Sequence, residues 1–216
     1  MVAAAASRFD RCVFVNCPFD SAYTPLLHAI LFAIHDCGFD ARSALEVTGG
    51  AESRLDKIVR IIGESRWSIH DISRVETGPT NPLPRFNMPF ECGLALGAQR
   101  FGKARNLRRD FLILAGEAHQ DKVTLSDLAG QDAAYHGNVP ERAIDAVRTF
   151  LASKASSQVR GGGAIKAHYQ QFRAELPRLA TRLEISDHEI ESLDYLPDWL
   201  RVMSAWLVQR GSARPD

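Results

Sequence analysis

Phe111-Leu112-Ile113-Leu114-Ala115 is an unbroken apolar run. A strand with one wet face alternates apolar and polar side chains. A continuous run therefore implies a strand covered on both faces, as in a parallel sheet flanked by helices. Upstream, Arg11-Cys12-Val13-Phe14-Val15-Asn16 and Trp67-Ser68-Ile69-His70-Asp71-Ile72 are further β-favouring runs. Segment 39–45 supplies another strand, and 133–136 a short edge strand. Between them lie helical patterns. Tyr23, Leu26, Leu27, Ile30, Leu31 and Ile34 recur at three- and four-residue spacing, as on one face of an amphipathic helix. Leu55, Ile58, Val59 and Ile62 mark a second helix. Pro89 suits the first turn of a third, running to about Arg100, and Pro140 opens a fourth to about Lys154. Strands alternating with helices in this way predict a doubly wound α/β domain over 1–154, with a mainly parallel sheet of about five strands.

Beyond this domain, 156–163 (SSQVRGGG) has the composition of a flexible linker. A helical appendage follows. Phe172, Leu176, Leu179 and Leu183 keep helical spacing, Ser186 and Glu189 fit a capping box, and Leu196, Trp199, Leu200, Met203, Trp206 and Leu207 form a wide apolar stripe. Segment 155–216 is thus expected to act as an oligomerisation surface or a lid, with its tryptophans serving packing rather than chemistry.

The 216 residues carry 26 Lys+Arg against 26 Asp+Glu. That balance removes the electrostatic argument for a dedicated duplex-DNA binder, which usually shows a basic excess, and leaves room only for a local basic patch. No stretch approaches the length of a membrane span, and the opening MVAAAAS lacks the features of a secretory signal. Cys12, Cys17, Cys37 and Cys92 lack zinc-type spacing and read as buried, reduced thiols of a cytoplasmic protein. No metal-ligand set, G-x-S-x-G elbow or GxGxxG loop is present.

Parallel sheets bind ligands beyond the carboxyl ends of their strands. Three clusters fall there. In Asn87-Met88-Pro89-Phe90-Glu91-Cys92-Gly93, Glu91 sits at the third position of a helix starting at Pro89. There it either caps that helix or presents a carboxylate to an open crevice. In Val15-Asn16-Cys17-Pro18-Phe19-Asp20, Asn16 and Asp20 either bind a polar ligand, with Phe19 stacking on a base, or form a capped turn. In His70-Asp71-Ile72-Ser73, alternation puts His70 and Asp71 on opposite faces; Asp71 either serves a ligand or caps the following loop, and His70 reads as a satisfied structural residue.

The segments VFVNCPFD, SRLDKIVRIIGESRWSIHDIS and FNMPFECGLALG, spread over about residues 10–150, together resemble bacterial TIR-like proteins. More distantly they resemble nucleoside 2-deoxyribosyltransferases. The segment 126–132 (SDLAGQD) looks like a recurrent part of the same bacterial subgroup. The resemblance implies a flavodoxin-like sheet and an enzyme that cleaves an N-glycosidic bond to ribose, with Glu91 as its catalytic carboxylate. Asn16, Pro18, Phe19, Asp20 and Glu46 are expected substrate contacts. Asp71, Ser73, Asn87 and Phe90 complete that set.

The implied substrate is NAD or a related nucleotide, which is not a resident cofactor, and the implied setting is antiphage defence. A homo-oligomer and a defence-system partner protein are expected, without membrane or nucleic-acid contact. The chemistry suits one carboxylate. Nicotinamide leaves as a neutral molecule, so charge stabilisation at the sugar suffices without a strong general acid. Two other readings stand beside it: a non-catalytic module that holds a nucleotide signal, and a base-exchanging deoxyribosyltransferase.

Overall fold

The structure, a computed structural model, describes residues 7–46, 51–74, 85–103, 108–118, 127, 130–155 and 158–211. Segments 47–50 and 75–84, and Ser126, Leu128 and Ala129 of the 126–132 segment, lie outside the described residues. A single helical turn, α1 (Arg8–Arg11), precedes β1 (Cys12–Asn16). With β2 (Asp40–Arg42), β3 (Trp67–Asp71), β4 (Asp110–Ala115) and β5 (Ala133–Tyr135), β1 forms an all-parallel sheet in the order β2-β1-β3-β4-β5. This is the flavodoxin-like α/β arrangement, in which succession reverses between β1 and β3. Every residue of β1 and β3 is buried, while the edge strands β2 and β5 are half-buried. Strand β2 is shorter than 39–45 because the chain turns at Ser43, whose N–H is taken by the Glu46 carboxylate at 3.3 Å.

The pairings Phe14↔Ser68, Asn16↔His70 and Ser68↔Phe111 put these five side chains on one sheet face. Helices α3 (Arg54–Glu64) and α4 (Asn87–Phe101) cover that face. Phe14, Ile58, Ile61, Ile62 and Ala95 form the core between them. The buried stripe of α3 is centred on Ile58, Ile61 and Ile62. Leu55 and Val59, expected on it, are exposed, because the apolar arc is wider than the strip the sheet covers. Helix α4 begins at Asn87, so Pro89 is its third residue, where an N–H would have no intrahelical partner. Glu91 is therefore the fifth residue of α4 rather than its third, and the first turn contains no acid.

By contact the chain falls into two compact units. One is Met1–Pro18 with Asp40–Asn138 and holds the sheet, α3 and α4; the other is Phe19–Phe39 with Val139–Asp216 and is helical. The helical unit is built around α2 (Thr24–Asp36), which packs with α5 (Pro140–Ala152), α6 (Gly162–Thr181) and α8 (Leu196–Gln209). Surrounded in this way, α2 is buried on all sides rather than amphipathic, continuously from Leu26 to Ile34. Phe32 meets the rings of Tyr169, Phe172 and Trp206 at 5.3, 5.6 and 6.1 Å. The apolar stripe of the C-terminal helices is thus covered within the chain, and both its tryptophans serve packing.

Ser186 and Glu189 do form the expected capping box, on the short helix α7 (Asp187–Ile190). Of the expected linker 156–163, Ser156 and Ser157 lie outside the described residues, and the remainder is anchored rather than free. Gly162 and Gly163 belong to α6, Arg160 pairs with buried Asp36 at 2.9 Å, and Arg148 donates to the Arg160 carbonyl at 2.9 Å. Leu183 is exposed, since the buried stripe of α6 runs Ile165-Tyr169-Phe172-Leu176-Ala180.

Candidate functional site

Asn16, the last residue of β1, is buried, and its side-chain amide ties three elements together. Nδ2 donates to the Met88 carbonyl in the first turn of α4 at 2.8 Å and lies 3.0 Å from His70 Nδ1 on β3. His70 Nε2 lies 2.9 Å from Ser68 Oγ. An amide nitrogen only donates, so Nδ1 accepts and the imidazole proton sits on Nε2, directed at Ser68. Phe14 and Phe111 meet the His70 ring edge-on at 6.0 and 6.1 Å. Burial in this setting pushes the His70 pKa down to about 3, so the ring is neutral. His70 is a satisfied structural histidine, as expected.

Glu91 lies one turn into α4, on the stripe with Met88, Cys92 and Ala95 that faces the sheet. Its carboxylate makes no hydrogen bond or ion pair among the described residues. Burial pushes its pKa up to about 7, and the positive charge of Arg54, the first residue of α3, opposes that rise. The side chain is 5% exposed, so it does not stand in an open crevice as expected. Its position in the second turn also removes the capping role that a third-position glutamate would have. The remaining α4 candidates, Asn87 and Phe90, are exposed.

The other predicted residues are placed differently. Glu46 is bound to Arg42, whose Nε reaches both carboxylate oxygens at 2.7 and 2.9 Å, and Arg42 also meets Glu64 at 3.1 Å. Asp71 lies on the opposite sheet face from His70, by strand alternation. It accepts from the Ser73 N–H at 2.8 Å, and its other oxygen lies 3.0 Å from Nε2 of His136, which follows β5. Asp71 and His136 are both fully buried. The sequence reading missed His136 because its strand gives only a weak pattern. Pro18 is buried beside Asn16 in the chain. Phe19 and Asp20 open the helical unit, where Asp20 accepts from the Tyr23 N–H at 3.0 Å, as a capped turn does.

A small cavity lies at the amino ends of β3 and β4, bounded by Trp67, Ser68, Gln99, Arg109, Asp110 and Phe111, away from Glu91. Arg109 closes it by donating to the carbonyls of Ile62, Gly63 and Ser65. Among the described residues no group of three His, Cys, Asp or Glu side chains is placed to hold a metal ion, and no helix is long and apolar enough to cross a membrane. All four cysteines are buried, and none is in a disulfide among the described residues. No protein-family model, no curated protein and no solved structure matches the chain.

Proposed function

We propose that the chain cleaves the N-glycosidic bond between nicotinamide and ribose in NAD or a close relative, with Glu91 as the catalytic carboxylate. One observation carries the reading. A buried carboxylate is ordinarily paired or hydrogen-bonded. Glu91 is buried without either among the described residues, at the carboxyl end of a flavodoxin-like sheet, where such folds bind ligands. In the reaction the bond from the anomeric carbon to the pyridinium nitrogen breaks, and its electron pair neutralises nicotinamide. The ionised Glu91 carboxylate offsets the positive charge left on the sugar. Water then adds to the anomeric carbon, and Glu91 takes up the proton this water releases. On this reading the chain acts in the cytoplasm, after self-association, in a response to phage.

The 5% exposure of Glu91 favours a second reading, a module that holds a nucleotide without breaking it. Incubation of the full chain with NAD, and separately with a deoxynucleoside plus a second free base, distinguishes the readings. Free nicotinamide is the expected product. NAD recovered intact from a stable complex would replace the enzyme with the module, and base exchange would replace it with a transferase.

A further inference from the structure

Asn16 lies at the sheet rim, where a ligand contact was expected, yet its amide is directed inward. Both of its hydrogens are used, on the Met88 carbonyl at 2.8 Å and on His70 Nδ1 at 3.0 Å. The reverse orientation would set the amide oxygen against the Met88 carbonyl, acceptor against acceptor, so the orientation is determined. His70 is held in turn by Ser68 and by the flanking rings of Phe14 and Phe111. The chain of contacts therefore runs from the body of the sheet, through a neutral imidazole and one amide, to the backbone of α4 three residues before Glu91. Nothing else described ties the Glu91 carboxylate itself. Its location depends on where the opening turn of α4 is fixed.

We infer that Asn16 is a positioning residue for Glu91, clamping the first turn of α4 to the end of β1 so that the carboxylate keeps one place relative to a bound sugar. This rests on the proposed glycosidic cleavage for its catalytic meaning, but the clamp itself is testable without turnover. A displacement of about 1 Å at a reacting group lowers turnover by roughly a hundredfold. Asn16→Ala is therefore expected to lower kcat about 10- to 100-fold, with KM within about threefold. Ser68→Ala, which loosens only the far end of the chain and leaves the amide in place, is expected to do the same more weakly. It also keeps the test open if Asn16→Ala does not fold.

Two readouts are independent of catalysis. Amide hydrogen exchange over 86–92 should accelerate in Asn16→Ala more than over β3 and α3. The titration midpoint of the Glu91 carboxyl, followed by NMR with Glu91→Gln as the assignment control, should move. Unchanged exchange and an unchanged titration, with wild-type kcat, would overturn the inference. So would a raised KM with kcat preserved, which marks a substrate contact. If the wild-type chain releases no nicotinamide, the glycosidic reading fails, while exchange and titration still decide the role of Asn16.

Discussion

Glu91 penalises folding whenever it is ionised, because the side chain is largely desolvated and no hydrogen bond or ion pair offsets this among the described residues. Its pKa is raised from 4.5 to about 7, so the folded chain binds this proton more tightly than the unfolded chain. Stability from the neutral form is complete below pH 4.5 and is lost as pH rises through 7, a difference on the order of 3 kcal/mol. Glu91→Gln should consequently melt several degrees above wild type at pH 8 and level with it at pH 4, by calorimetry. Equal melting at both pH values would mean the carboxylate is solvated. Asp71 is also fully buried, and one of its oxygens lies 3.0 Å from Nε2 of the fully buried His136. Asp71→Asn, which disturbs this buried contact, should cost about 1–3 kcal/mol in denaturant unfolding while leaving kcat for nicotinamide release intact. Lost turnover with retained stability would make Asp71 a substrate contact. In the sequence Glu91 was visible, because a lone acid follows a proline at the start of a helix. Its release from capping was not. That follows from a helix start fixed by Asn16, 72 positions away, and long-range hydrogen bonds leave no trace in local spacing.

At the scale of elements, strands and helices were legible wherever one residue type dominated. Phe111-Leu112-Ile113-Leu114-Ala115 fell within a strand because no polar residue interrupts it. Helix α2 was recognisable as a helix, but its burial on all sides was not, since that depends on α5, α6 and α8 packing around it. The glycines of 161–163 misled for a related reason. Composition indicates flexibility, yet Gly161 is the N-cap and Gly162 and Gly163 open α6, anchored by neighbouring ion pairs. A β-carbon at Gly163 meets nothing within 4 Å, so Gly163→Ala should stabilise by about 0.5–1 kcal/mol in urea unfolding. At Gly162 the same carbon would lie 2.5 Å from Asp145 Oδ1, whose other oxygen pairs with Lys166 at 2.9 Å. Gly162→Ala should therefore gain less. A larger gain at 162 than at 163 would contradict this account of the helix start.

For the whole molecule, acid acts through buried histidines in both units. His28, stacked on Trp199 at 4.2 Å, has no hydrogen-bonded ring nitrogen among the described residues. Its nearest charge is Glu191 at 3.5 Å, itself paired with Arg173 at 2.6 Å. Burial lowers the His28 pKa below 6.5, as it does that of His70. Depressed histidines give stability that is complete above the unfolded value of 6.5 and lost as pH falls towards the folded value, opposite in sign to Glu91. His28→Phe, which keeps a ring on Trp199, should move the acid midpoint of tryptophan fluorescence to lower pH. An unmoved midpoint would exclude His28 from acid unfolding. The most direct test of the functional account is nicotinamide release from NAD by wild type and Glu91→Gln, measured side by side from pH 5.5 to 8.5. The account predicts a wild-type rate that climbs with pH through about 7 and a variant with no turnover at any pH. Equal rates in the two proteins would contradict it.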